Sequence, residues 1–252
     1  MFRALPAGLL LLLLVRQLPQ GIWWGRMFIL GALNFAIFWG MLFIAAYRLP
    51  GGVAATVGAI QPLIILFLMR AIMGTQIRPT AIYAAILGIL GVGLLILGPN
   101  AAIDPIGIIA GLIGAGSMAL GTVLTRHWQP PVSLLTFTAW QLTAGGIILL
   151  PITFILEPAL PPITGRNVFG LFYLGLIGAA FTYFLWFRGI ARIPPSVVAS
   201  LGYLSPLSAI LLGWWFLGQS LNMVQIIGIV TIVVSLQLAT YSTRPQKTPA
   251  TS

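Results

Sequence analysis

Apolar residues run along this chain in long unbroken blocks, and short turns between them carry most of the Arg, Pro and polar residues. Blocks of roughly 17–25 apolar residues are each long enough to cross a bilayer as a helix. Such blocks occupy 26–46, 51–73, 79–98, 106–125, 133–156, 167–190, 195–217 and 221–241, with a shorter one at 4–18. Strands of a membrane barrel would alternate apolar and polar positions over about ten residues. These runs do not alternate, so the pattern predicts an all-α polytopic membrane protein with nine transmembrane helices. The polar stretch 245–252 predicts a disordered tail.

One proline-broken block occurs twice. Residues 48–74 read RLPGGVAATVGAIQPLIILFLMRAIMG, and residues 192–218 read RIPPSVVASLGYLSPLSAILLGWWFLG. At an offset of 144 they match without gaps at nine of 27 positions, among them Arg48/Arg192, Pro50/Pro194, Gly58/Gly202, Pro62/Pro206 and Gly74/Gly218. Shared Gly and Pro are harder to obtain from composition alone than shared Leu, so the chain reads as an internal duplication. The halves are 1–98 and 99–244, joined at the polar turn 100–105.

The second half holds five predicted helices and the first four; the partner of 106–125 would fall before residue 1. An odd number of helices, repeated directly, inserts the two copies in opposite orientations. The expectation is an inverted repeat of five plus five with the first helix absent, leaving an open groove in the first half. Glycines 107, 111, 114 and 116 mark 106–125 as a packing helix. With the C-terminus in the cytoplasm, Arg16, Arg26, Arg70, Arg78, Arg126, Arg188, Arg192, Arg244 and Lys247 are cytoplasmic, against Arg3, Arg48 and Arg166 outside. The excess of basic residues inside predicts an external N-terminus and a cytoplasmic C-terminus.

Composition adds little to this picture but excludes much. Hydrophobic residues make up 60% of the chain and charged residues 6%, where a soluble domain carries about 25% charged. The net charge of +10 would suggest nucleic acid in a soluble protein, yet the basic residues stand singly at block ends, so no nucleic-acid partner is expected. Without cysteine there is no disulfide framework and no thiolate chemistry. No acid lies within a predicted helix, which leaves no intramembrane proton carrier. His127, between Arg126 and Trp128, reads as an interfacial residue. No phosphate loop, metal cluster or nucleophile–base pair is present, so neither an enzyme nor a cofactor is expected.

RALPAG at 3–8, YRLPGGVAA at 47–55, QPL at 61–63 and FRGIARIP…SLGYLSPL across 187–207 resemble the EamA family of the drug/metabolite transporter superfamily. The resemblance extends over nearly the whole chain, and is strongest to the branch of pigment and metabolite exporters. It implies a ten-helix fold of two inverted five-helix repeats around a central pathway, exporting small metabolites across the bacterial inner membrane. The chain departs from the family in lacking its first helix, and in carrying Gly218-Gln219 where many members have Gly-Glu. A non-transporting scaffold, or a truncated remnant of such a transporter, is the alternative.

The candidate site residues are uncharged. Pro62 and Pro206 each lack the N–H that would bond the carbonyl four residues back, at Gly58 and Gly202. Gly58, Pro62, Gly202 and Pro206 therefore form either packing kinks or hinges beside a binding site. Trp39 and Tyr183 correspond at the same offset of 144, and read either as packing aromatics or as pathway walls. Gln61, Gln141, Tyr203 and Ser205 would add hydrogen-bonding groups to the pathway, and Gln141 and Asn34 are costly if they face lipid. With no buried charge awaiting a counter-ion, the expected substrate is small and either uncharged or zwitterionic.

Overall fold

The structure is a computed structural model, and it describes residues 4–49, 51–96, 104–156, 165–217 and 222–242. Among these residues all regular structure is helical. In chain order the elements are α1 (Leu5–Val15), α2 (Trp23–Gly31), a π-helical turn (Ala32–Ile37), α3 (Phe38–Arg48), α4 (Gly51–Gly58), α5 (Gln61–Met73), α6 (Pro79–Ile96), α7 (Pro105–Trp128) and α8 (Leu134–Leu156). Then follow α9 (Gly165–Gly175), a second π-helical turn (Leu176–Phe181), α10 (Thr182–Arg192), α11 (Pro195–Ser200), a 3-10 turn (Leu201–Tyr203), α12 (Leu204–Leu217) and α13 (Met223–Ser242). The expected junction at 100–105 lies largely outside the described residues, as do Gly218-Gln219 and the tail 245–252.

Local chemistry sets the helix ends. Asp104 caps α7, its side chain accepting from the Gly107 N–H at 2.9 Å, and Pro105 follows in the first turn, where a missing N–H costs nothing. The backbone hydrogen bond of this cap, with Arg48 at 3.4 Å, holds the Asp104 carboxyl below the usual carboxylate range. Gly74 ends α5 in the left-handed region at φ 67°, its N–H bonded to the Arg70 carbonyl.

Among the described residues, six helices are long and apolar enough to cross a membrane: Trp23–Arg48, Val53–Met73, Pro105–Trp128, Leu134–Ile155, Asn167–Arg192 and Met223–Ser242. Leu5–Val15 and Pro79–Leu95 are shorter apolar helices. The expected eighth run, 195–217, is divided by its 3-10 turn into α11 and α12. Arg16, left-handed at φ 50°, ends α1 at 11 residues, and the break ahead of Pro206 divides 195–217 as the turn ahead of Pro62 divides 51–73.

α8 packs on α1 and α2, α7 on α3, α4 and α5, and α13 on α6. Of the glycines expected to tighten the packing of α7, Gly107, Gly111 and Gly114 do meet α3, its following turn and α4; no described atom lies near a Cβ built on Gly116. α6 and α13 run antiparallel. Ser235 Oγ donates to the Ala84 carbonyl at 2.7 Å, and further along the pair a Cβ on Gly91 would lie 3.2 Å from the Gly228 carbonyl oxygen. Exposed large apolar side chains, among them Phe43, Phe154, Phe172 and Trp215, cover much of the outside. A surface of that kind suits lipid and not water.

One end of the bundle collects cations. There Arg78 donates to the Ser242 carbonyl at 2.7 Å, Arg126 to the carbonyls of Ile190 and Ala191, and Arg26 lies 5.1 Å from the ring centroids of both Trp23 and Trp128. Arg48 and Asp104 pair at the opposite end.

Candidate functional site

The two π-helical turns, Ala32–Ile37 and Leu176–Phe181, begin and end at positions 144 apart. Each frees a backbone carbonyl that lipid could not satisfy. Ser117 Oγ donates to the Leu33 carbonyl at 2.8 Å, and Thr182 Oγ1 to the Ile177 carbonyl at 2.7 Å. Leu33 and Ile177 are themselves 144 apart. The turns re-aim the helical face that follows, and that face carries Trp39 in one half and Tyr183 in the other.

Those two residues meet. Trp39 Nε1–H donates to Tyr183 Oη at 3.2 Å, with both side chains buried. Phe35 stands edge-on to Trp39 at 5.4 Å and tilted against Tyr183 at 4.5 Å, and Phe187 lies 6.1 Å from Tyr183. Phe137, on α8, closes the group at 5.4 Å from Phe187. Trp39 faces Tyr183 while Phe35 faces Phe187, which is the register of an antiparallel crossing. Aromatic pairs in such geometry contribute roughly 0.5–1.5 kcal/mol each beyond area burial. Trp39 and Tyr183 each stand nine residues from the end of their rod, about 14 Å along the axis at 1.5 Å per residue, which is near mid-bilayer.

Beside the aromatic cluster sits a carboxamide pair. Asn34 Nδ2 donates to Gln141 Oε1 at 2.7 Å, and the two residues are 1% and 0% exposed. Asn34 Oδ1 and Gln141 Nε2 are buried and have no partner among the described residues. Asn34 packs so closely on α7 that a Cβ at Gly121 would lie 2.0 Å from its oxygen.

Tyr203 forms a second centre. Its ring crosses α6 at Gly88, where a Cβ would come within 2.0 Å of it, and its hydroxyl donates to the Ala59 carbonyl at 3.1 Å. Ala59 lies in the turn between α4 and α5, and Tyr203 in the 3-10 turn between α11 and α12. The interruptions ahead of Pro62 and Pro206 thus face each other, and Ala59, not Gly58, supplies the carbonyl that is held. No described atom lies within 4 Å of a Cβ built on Gly58 or Gly202, so close approach is not what either glycine provides here. Gln61 is half-buried at the start of α5, with Nε2 lacking a described partner. Ser205 is exposed on α12 and joins neither centre.

Of the six expected pathway residues, the fold thus gathers Trp39, Tyr183 and Gln141 into one buried cluster. It sets Tyr203 in a second centre with Gln61 at the neighbouring break, and leaves Ser205 outside. Phe35, Phe137 and Phe187 were missed. The spacing of four in Phe35/Trp39 and Tyr183/Phe187 was the available signal, since it stacks two rings on one helical face.

An all-helical bundle with six membrane-length apolar helices among its described residues and a buried aromatic and amide centre is a polytopic membrane protein. The chain belongs to the EamA-like transporter family, whose profile matches residues 1–97 and 105–241. It is 44% identical over 238 residues to Protein PecM of Dickeya dadantii, covering 94% of this chain and 80% of that protein. It is 31% identical over 245 residues to YedA of Escherichia coli, an uncharacterized inner membrane transporter, covering 94% and 79%. A solved crystal structure superposes with a TM-score of 0.78 at 21% identity, covering 95% of this chain and 85% of the other, which extends the likeness to the fold.

Proposed function

We propose that this chain is a secondary transporter that exports small metabolites across the bacterial inner membrane by alternating access. The observation that carries the reading is the hydrogen bond between Trp39 and Tyr183, residues separated by 144. Under an inverted repeat, equivalent residues touch only near the two-fold axis that relates the halves. Tyr203 and Ala59 are a second pair in contact at that separation. α6 and α13, which begin at positions 144 apart, pack antiparallel as equivalent helices would about such an axis. In this reading the halves 1–98 and 99–244 rock about the axis, the breaks before Pro62 and Pro206 act as hinges, and the aromatic cluster closes the pathway. The substrate is a small metabolite without a strong net charge, the N-terminus lies outside and the C-terminus in the cytoplasm.

The test is efflux. Everted membrane vesicles carrying the protein should accumulate particular members of a labelled metabolite panel, and vesicles carrying Tyr183→Phe should do so severalfold more slowly. Equal accumulation in vesicles with and without the protein, for every metabolite, overturns the reading.

A further inference from the structure

A cavity of about 360 Å³ opens at the cationic end of the bundle, between the end of α7, the start of α8 and the end of α10. Its volume falls in the range of small-molecule sites. Phe137 and Phe187 line it; Phe187 backs onto Phe35 and Tyr183, and Phe137 backs onto Phe187. Its wall also holds Thr125, 6% exposed, whose buried Oγ1 has no hydrogen-bond partner among the described residues. An unmade hydrogen bond of this kind is uncommon in a folded interior.

Arg126 stands at the same cavity. Its described partners are the neutral carbonyls of Ile190 and Ala191, both taken by Nη1. A guanidinium has five N–H donors in a planar fork matched to a carboxylate. The chain has two acids; Asp104 pairs with Arg48 at the far end, and Glu157 lies outside the described residues. Two phenyl rings, an unsatisfied hydroxyl and a cation whose described partners are all neutral thus share one opening. A neutral molecule would leave the cation unused, and an inorganic anion would leave the rings unused.

We propose that this cavity is the loading site of the transporter and that it takes a small organic acid with a flat apolar body, the carboxylate on Arg126 and Thr125 and the body on Phe137 and Phe187. The proposal rests on the export reading and departs from its substrate class, replacing an uncharged or zwitterionic metabolite with an anion bearing a carboxylate.

Equilibrium binding of radiolabelled naphthoate and naphthamide to the full chain in phosphatidylcholine nanodiscs tests it. The wild type should bind the acid about tenfold more tightly than the amide, as one charge-assisted pair implies. Arg126→Gln keeps amide N–H donors for the two carbonyls while removing the charge, and should bring the ratio near one. Thr125→Val should weaken the acid about threefold with the fold intact, which keeps the proposal testable if Arg126→Gln fails to accumulate. Equal wild-type affinities, no binding of either probe, or a preference that survives in Arg126→Gln each overturn the site. Loss of naphthoate binding in nanodiscs containing phosphatidylglycerol would assign the guanidinium to a lipid headgroup and likewise overturn it. Acid-selective binding without efflux of any metabolite would sink the export reading alone, and efflux without acid selectivity would sink this site alone.

Discussion

At the residue scale, the centre of the molecule is held by groups whose value comes from what surrounds them. The Trp39–Tyr183 hydrogen bond lies buried among aromatic rings. Tyr183→Phe removes it without opening a cavity, and should slow export severalfold while leaving membrane abundance unchanged, measured by efflux and quantitative immunoblot. Trp39→Ala is a blunter probe, because emptying a buried Trp site costs about 3–5 kcal/mol and confounds activity with folding. The Asn34–Gln141 pair makes a sharper prediction. Asn34→Leu leaves the Gln141 amide wholly unpaired in the interior, at a cost of about 1–3 kcal/mol. The double variant Asn34→Leu/Gln141→Leu should melt at a higher temperature than Asn34→Leu alone, in thermal unfolding in detergent. A double variant less stable than the single one would mean that the amides are held by more than each other.

At the element scale, helix interruptions recur in register. The π turns and the breaks before the two prolines recur at 144, and the Trp39–Tyr183 and Tyr203–Ala59 contacts each join residues 144 apart. The Tyr203 bond to the Ala59 carbonyl ties one break to the other across α6. Gly88 is the position that admits the ring. Gly88→Ala should therefore displace Tyr203, and it should impair function at least as severely as Tyr203→Phe, which removes only the hydroxyl. Efflux rate and accessibility of a cysteine placed at Gln61 report both effects. Gly88→Ala behaving as wild type would show that the latch is not held at α6. Ser117→Ala is the matching probe at the π turn, since it strips the described hydrogen bond from the Leu33 carbonyl; a loss of about 1 kcal/mol is expected.

At the scale of the whole molecule, two expectations concern the bilayer. Reporter fusions after Ser252 and within the turn 100–105 should give cytoplasmic and external signals respectively, following the bias of Arg and Lys. A cytoplasmic signal from the turn would reverse the orientation. The second concerns the expected groove. α7 packs on α3, α4 and α5. By the offset of 144, a helix equivalent to α7 would cover α10 and α12 of the second half, where Leu185, Leu212 and Trp214 are exposed. A small-residue helix like α7, fused ahead of Met1, should protect cysteines substituted at Leu185 and Leu212 from a membrane-permeant maleimide and should raise yield. Unchanged labelling at both positions would refute that placement.

The sequence by itself determined that the chain is helical, roughly where its helices run, and that one Gly- and Pro-bearing block recurs at an offset of 144. Apolar block length and the absence of alternation leave a membrane chain few choices, and Gly and Pro are punctuation that side-chain packing seldom overrides. It also selected Trp39, Tyr183, Gln141 and Tyr203, because large aromatic and amide side chains in an apolar run must find partners. Which partner each one found was decided only by the tertiary structure. Trp39 meets its own repeat equivalent, Tyr203 bonds the carbonyl of Ala59, and Ser205 is turned outward, although it directly precedes Pro206 as Gln61 precedes Pro62. The π turns left no mark in the sequence, since inserting one residue into a helical turn changes register without requiring any residue type. Partner choice depends on the angle and depth at which helices cross, and those are set by every small residue along the contact at once.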